Sequence, residues 1–544
     1  MGQQLHLLDL VVLLGSVVVF LVIGASFSRR QKSTARYFKA GGAIPAWVIG
    51  ISILATLISS VTFLAYPAAG FKSNWILLVQ GLMVPLVLVC LVWIVVPLYR
   101  EVIGLSAYEY FEKRFGFFAR IYSSLAFSLT HFSKMGTVFF LLTVGLASLS
   151  GFDPYLILWF LGISIIVITV MGGIEAVIWA DVFQGFLFIA AGLVAALVLL
   201  FLPPGGPAAV IQTAWEHGKI GFGPYDWNFA KLTFVVMALN GVFYALQKYA
   251  TDQTIVQRYL TAKSDPAAIR AALFGVLLCV PVWALFMFIG TALFSFYQIT
   301  QLPLPAGIKA EQVFPYFLMT QLPPGVVGLI LSGLVAAAIS TLDADLNCLA
   351  AVAVEDYYAR FKPNATDRSK LIVGKFVVAG CGIAAILIAS LYLRLGGEGV
   401  LGIVFNLYAI FSGGIVGLFL LGLLTRRANW QGVNIAIVAC MAFTAWATLT
   451  STQIPDAGGG KRLILDLGRY NFTHHTYMLG VYSHLILFGV GYVASLFFPP
   501  GNPARSLTIH AWLDRRRLKR SEKSTILRHG SPEESEVIRQ TTGR

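Results

Sequence analysis

Charge is what this chain has little of. Only 12% of its 544 residues are Asp, Glu, Lys or Arg, while 58% are hydrophobic and the mean hydropathy is +0.79. A soluble protein of this size needs far more charge to cover its surface, so an ordinary water-soluble globule is excluded. Cysteines are few: Cys90, Cys279, Cys348, Cys381 and Cys440 all lie in apolar stretches. No CxxC or zinc-type spacing exists, so neither a disulfide nor a structural metal is expected. No Walker A sequence, haem motif, HExxH or GxSxG occurs, and His131 and the other histidines show no metal spacing. This leaves no evident ATPase or hydrolase machinery. A cleavable signal peptide is not expected, because Arg29, Arg30 and Lys32 follow the apolar segment 8–27 and no basic region precedes it.

What the chain has in abundance is long apolar blocks, such as 10–27, 75–98, 155–171, 182–202 and 399–424. Each reaches or approaches the roughly 18–20 residues that span a bilayer. Backbone polar groups find no water in lipid, so spanning elements are helices or closed barrels. Barrel strands alternate apolar and polar residues, and these blocks do not. The expectation is an all-α integral membrane protein of about thirteen helices. They fall near 8–27, 46–66, 75–98, 119–149, 155–172, 176–202, 232–248, 270–298, 325–354, 371–394, 399–424, 431–450 and 476–498.

The formal charge is +14. The basic residues sit mainly in short loops and the tail, which points to a membrane and not to nucleic acid. Basic loops follow the first, third, seventh, ninth and eleventh expected helices, the one after the seventh counting Lys248, Arg258, Lys263 and Arg270. Poorer loops alternate with them at 68–74, 150–154 and 299–324. That pattern predicts the N-terminus outside and the C-terminus in the cytoplasm, with 203–231 and 451–475 external. Lys461, Arg462 and Arg469 fit the second external loop less well. The tail from about 502 reads as solvated and basic, near anionic lipid. Asn471-Phe472-Thr473 matches a glycosylation acceptor, which matters only in a eukaryote.

The informative residues are polar groups inside the spans, where an unpaired charge costs several kcal/mol. Thr56, Ser59, Ser60 and Thr62, followed by Pro67 and Gly70, weaken the second helix in mid-span. Free carbonyls and hydroxyls in an unwound stretch are the hard oxygen ligands that sodium needs; the hydroxyls can instead bond back to their own helix and bend it. In the ninth helix, small residues at Gly333, Ala336, Ala337 and Ala338 permit close helix contact. Ser340 and Thr341 share a face with Ala337, and Asp343, Asp345 and Asn347 follow. These aspartates need an ion, a basic partner or water, and Asp345 can be wet if the boundary comes early. Asp181 is either a boundary carboxylate or an ion ligand. Lys134, near the middle of the fourth helix, cannot snorkel easily and should meet a carboxylate of the protein or an anionic substrate. The stretch 240–258 mixes aromatic, amide and charged groups, and either gates a cavity or forms an interfacial belt.

Several stretches together resemble the sodium/solute symporter family, which includes carriers of glucose, proline, pantothenate, iodide, monocarboxylates and sialic acid. They are LATLISSVTFLAYPAAGF, SAYEYFEKRFG, GGIEAVIWADVFQG, DQTIVQRYL and GLVAAAISTLDADLN, in family order over roughly 8–425. The resemblance implies a LeuT-type core of two inverted five-helix repeats, 46–202 and 232–425. Around it lie an extra helix and basic loop (1–45), a loop (203–231), two further helices (426–500) and the tail (501–544). It implies a sodium ion held by the carbonyls of Ala55, Ile58 and Ala337 and the hydroxyls of Ser340 and Thr341. A second ion site would use Asp181, Ser340 and Asp343, although such members carry serines where Asp343 and Ala344 stand here. Polar substrate contacts would be Ser59, Ser60, Thr62 and Gln80. Lys134 takes the place of an arginine that sialic acid carriers set against the substrate carboxylate. Sugar-carrying relatives have a glutamine where Thr62 stands, and sialic acid carriers a threonine where Leu57 stands. The implied activity is sodium-coupled import of a small, anionic organic solute across the plasma membrane by alternating access, with no enzymatic step. Proton coupling on the same fold through Asp343 or Asp181, sugar transport, and a non-transporting sensor are the alternatives.

Overall fold

The computed structural model describes residues 5–394, 413–455, 461–500, 507–515 and 517. It is almost wholly helical. The main helices are α1 (Leu7–Phe27), α2 (Ala46–Leu57), α3 (Ser60–Lys72), α4 (Leu78–Val102), α5 (Glu109–Phe115), α6 (Phe117–Ser150) and α7 (Pro154–Phe201). There follow α8 (Phe234–Ala250), α9 (Gln253–Thr261), α10 (Asp265–Thr300), α11 (Val326–Val352), α12 (Asp367–Arg394), α13 (Ile415–Leu424), α14 (Trp430–Ser451) and α15 (Thr476–Ser495). One departure from all-α is a small antiparallel hairpin, β1 (Gln453–Pro455) with β2 (Lys461–Leu463), in the loop before α15.

Among the described residues nine helices are long and apolar enough to cross a membrane, and the bent pair α2–α3 makes a tenth. The expected thirteen segments differ from this count for local reasons. Helix α7 runs 48 residues, or about 72 Å at 1.5 Å per residue, over twice the roughly 30 Å of a bilayer core. It divides at Gly173, whose φ of 57° and ψ of −163° leave helical geometry. Only glycine suits that turn, since a Cβ there would stand 2.7 Å from the Tyr37 carbonyl oxygen. Helix α8 has only 17 residues. The expected helix 399–424 is described only from α13 onward; its earlier part lies outside the described residues.

Helix α11 is the axis of the bundle. It is covered on all sides, with nearly every residue from Val327 to Val352 buried, the pattern of a helix surrounded by protein. Its small residues admit close neighbours: a Cβ on Gly333 would lie 2.5 Å from that of Ala191 on α7. Its N-terminus is capped from another helix, because the buried Asp9 of α1 accepts from the amides of Gly325 (2.6 Å) and Gly328 (2.7 Å). Toward its C-terminus the helix widens into a π turn, Ala353–Tyr358. There the buried Asp356 receives Arg120 Nε at 2.9 Å.

Pro67 and Gly70 do not unwind the second helix as expected. Both lie inside α3. Gly70 lets α3 press on α10, where an added Cβ would meet the Met287 carbonyl oxygen at 2.3 Å, and Gly290 answers with 2.1 Å to that of Pro67. The tail also departs from its solvated reading over 507–515. Trp512 is buried and Tyr110 donates to the Leu507 carbonyl oxygen at 3.3 Å.

Candidate functional site

The site begins with a broken helix. Between α2 and α3 the chain bends by 59°. Ile58 (φ −87°, ψ 143°) and Ser59 (φ −150°, ψ 179°) are extended. Ser59 caps α3: its hydroxyl accepts from the Val61 amide at 3.2 Å, and its own amide donates to Thr62 Oγ1 at 3.4 Å. In a continuous helix that amide would serve the Ala55 carbonyl. The break therefore frees carbonyl oxygens in the middle of a span, nine-tenths or more buried in protein.

Side chains from α11 meet them. Ser340 Oγ donates to the carbonyls of Ala55 (3.0 Å) and Ala337 (3.1 Å). Thr341 Oγ1 lies 3.1 Å from the carbonyls of Ile58 and of Ala337. All five residues are buried, the two hydroxyls completely. The structure thus gathers Ala55, Ile58, Ala337, Ser340 and Thr341 into one cluster of five oxygens. Each hydroxyl also has lone pairs, so rotating its hydrogen offers a cation an uncharged, hard-oxygen cage.

Asp181 lies deep in the bundle and not at a boundary, with no exposed surface. Its Oδ2 accepts from Ser52 Oγ (2.5 Å) and from Arg258 Nη2 (2.9 Å), and Arg258 Nε reaches Ser52 at 2.7 Å. Arg258 Nη1 also donates to the Thr254 carbonyl at 2.7 Å. Asp343 is equally buried and within electrostatic reach of both Asp181 and Arg258. Neither of its oxygens, nor Asp181 Oδ1, has a hydrogen-bond partner of ordinary geometry among the described residues. One guanidinium can match only one of the two carboxylates.

Lys134 finds a carboxylate of the protein. Its Nζ is 3.0 Å and 3.1 Å from the two oxygens of Asp345. Asp345 is fully buried, which overturns the wet boundary reading for it. His131 Nδ1 stands 2.8 Å from Asp345 Oδ1, and its Nε2 is 3.5 Å from Asp252, which Lys248 holds at 2.7 Å. This chain of charges ties α6 to α11 and to the second break, Thr251–Asp252, between α8 and α9. A cavity of about 30 Å³ lined by Thr130, His131, Gln247, Thr251 and Asp252 adjoins it. The stretch 240–258 therefore borders a cavity and is not merely an interfacial belt. The remaining candidates are more dispersed. Ser59 and Thr62 are spent on the cap, Ser60 Oγ is buried with no hydrogen-bond partner among the described residues, and Gln80 on α4 has its backbone against Gly241 of α8.

Loop counting places Arg258 and Lys248 among the cytoplasmic loop charges, yet Arg258 is completely buried and Lys248 is nearly so. The available signal was the helix α9 itself, in which Gln253, Thr254, Gln257 and Arg258 are all buried polar residues. Gln257 bonds Asn347 at 2.9 Å, so α9 meets α11 through amides.

A bundle with a broken span, an oxygen cage on its central helix and paired charges in its interior defines a secondary carrier driven by a cation. The chain belongs to the sodium:solute symporter family, whose model matches residues 37–440. It is similar to the sodium/sialic acid symporter NanT of Aliivibrio fischeri, 32% identical over 82% of this chain and 88% of the relative. It is also 32% identical to the sodium/sialic acid symporter SiaT of Proteus mirabilis, over 81% and 90% of the two chains. The human sodium-coupled monocarboxylate transporter 1 is 27% identical over 82% and 74%. A solved structure described as the substrate-bound outward-open state of a Na+-coupled sialic acid symporter superposes with a TM-score of 0.83 at 28% identity, covering 92% of this chain and 99% of that one. The fold is thus the LeuT-type one, and the chain is a sodium-coupled symporter and not an enzyme.

Proposed function

We propose that this symporter imports a sialic-acid-like sugar carboxylate, with sodium bound in the cage of Ala55, Ile58, Ala337, Ser340 and Thr341. The observation that carries the reading is that cage, in which freed carbonyls of a broken helix meet two hydroxyls of the central helix. Sodium there bridges the 46–202 half to the 232–425 half, which rock against each other to expose the site alternately. The first helix of each half is interrupted, α2–α3 at 58–59 and α8–α9 at 251–252, which supports that division. Linkage then works both ways: sodium raises the affinity for solute, and solute that for sodium. Inward movement of each positive charge through 100 mV contributes about 2.3 kcal/mol.

An anionic solute is favoured by Lys134, the one lysine of α6, which lies in mid-bundle with 29% of its side chain exposed. The substrates named for the 32% identical relatives point the same way. Ser59, Ser60, Thr62 and Gln80 are the polar contacts assigned to the solute. A second cation beside Asp181, Asp343 and Ser340 extends the reading, since three buried carboxylate oxygens of Asp181 and Asp343 have no hydrogen-bond partner among the described residues. The plasma membrane is the assigned location, with the N-terminus outside, on the alternation of basic loops.

The test is thermal unfolding of the purified protein in sodium against choline, then with sialic acid, short monocarboxylates, glucose and amino acids. Sodium alone should stabilise, and sialic acid should add to this only with sodium present. Lys134→Ala should remove the response to sialic acid and spare that to sodium. Uptake that continues unchanged when choline replaces sodium refutes the proposal.

A further inference from the structure

The pair between Lys134 and Asp345 has a consequence for coupling. Resting on the reading of Lys134 as the contact for the solute's carboxylate, we propose that Asp345 is an internal counter-ion. It occupies the ammonium in the absence of sodium and so makes solute binding depend on the cation.

Four observations support this. First, the ammonium donates to Asp345 Oδ1 at 3.1 Å and lies 3.0 Å from Oδ2 in an ion pair, so an incoming carboxylate has to compete with one already in place. Second, the exposures are unequal: Asp345 has no exposed surface, whereas 29% of the Lys134 side chain is accessible. The lysine is tied at its Asp345 end, while part of its side chain stays uncovered by protein. Third, Asp345 has a second donor waiting. His131 Nδ1 is 2.8 Å from Oδ1, so release of Lys134 does not leave a buried carboxylate without a hydrogen bond. Fourth, Asp345 follows Thr341 by one turn on α11, about 6 Å along the axis. A cation in the cage therefore adds its positive charge beside Asp345, in surroundings where charges are poorly screened. Without the cation, Lys134 and Asp345 cancel, and a solute carboxylate would bring an unmatched negative charge into the bundle. With it, the sum is restored. A neutral solute has no means of exchanging with Asp345, which makes the same residue a determinant of specificity.

The experiment measures the dissociation constant of sialic acid in choline and in saturating sodium, for the wild type and for Asp345→Asn. Asparagine keeps the shape and a bond to His131 but removes the competing charge. In choline, the variant should bind sialic acid about tenfold or more tightly than the wild type, equivalent to about 1.4 kcal/mol. The ratio of its constants in choline and sodium should shrink accordingly. Should this variant give no folded protein, Asp345→Ser carries the same expectation. An unchanged constant in choline, or binding lost as in Lys134→Ala, overturns the proposal, because Asp345 would then only hold the lysine in place. Failure of the underlying reading looks different: sialic acid binding would survive Lys134→Ala, or the wild type would ignore sialic acid while still responding to sodium, and the inference falls with it.

Discussion

Removing the Thr341 hydroxyl tests the cage most directly. Thr341→Ala deletes an oxygen that lies 3.1 Å from the carbonyls of both Ile58 and Ala337. The two losses are unequal. Ala337 keeps the Ser340 hydroxyl at 3.1 Å and sits in a regular helix. Ile58 sits at the break, in extended geometry, and is buried. An unsatisfied buried carbonyl costs about 1–3 kcal/mol, so the sodium-free protein should lose about that much stability. In sodium the variant lacks one of five oxygens around the ion. A loss of about 1.4 kcal/mol in ion binding corresponds to a tenfold rise in the half-saturating concentration. The assay is thermal unfolding across a sodium series, with choline balancing ionic strength. Thr341→Ser restores the hydroxyl, sacrifices only a methyl group of about 0.8 kcal/mol and should regain the sodium response. Ser340→Ala should behave like Thr341→Ala, and the double variant should not respond at all. A Thr341→Ala protein with wild-type half-saturation, or one no different from Thr341→Ser, refutes the cage.

Two further outcomes follow from buried charge. Arg258→Met leaves Asp181 without its guanidinium where neither side chain is exposed, and breaking such a pair costs about 3–5 kcal/mol. Folded yield should collapse and recover when Asp181→Asn is added; a single variant as stable as the double one refutes the pairing. Glu112, in the short helix α5, tells by its pH dependence. Burial pushes its carboxyl up, but hydrogen bonds and charges from Arg120 and Arg360 outweigh this and hold it below the ordinary value of 4.5. Its contribution is thus fully present above that value and is lost as the pH falls through the lowered folded-state value. The gap in thermal stability between the wild type and Glu112→Gln should close in acid, and a gap independent of pH contradicts the assignment.

Much of this molecule was legible in the order of its residues. Apolar blocks long enough to span lipid announce a helical membrane protein, because the bilayer admits only elements that satisfy their own backbone. Ser340 and Thr341, one turn from Ala337 and flanked by small residues, were recognisable as a polar face on a helix otherwise unable to carry one. The hydroxyls of 56–62 announced a weakened span. Pro67 and Gly70 count toward that weakening in the sequence, yet the break falls at Ile58 and Ser59. Proline and glycine lower the cost of leaving a helix, but the chain leaves it where other groups take up the freed carbonyls. Here those groups are a capping serine and hydroxyls that lie 285 and 283 residues away.

Charge pairing divides the same way. The chain alone indicates that Lys134 and Asp343 are too costly in lipid to stand unmatched, and leaves Asp181 and Asp345 open between a buried role and a wet boundary, since that cost follows from residue type and depth. It did not name their partners. Arg258 lies 77 residues from Asp181, and Asp345 lies 211 from Lys134. Composition and periodicity act over a turn or two of helix, so they determine which segments cross the membrane and which residues need company. Only packing of α6, α7 and α9 around α11 decides which charge each one meets, because that choice is made by proximity in space.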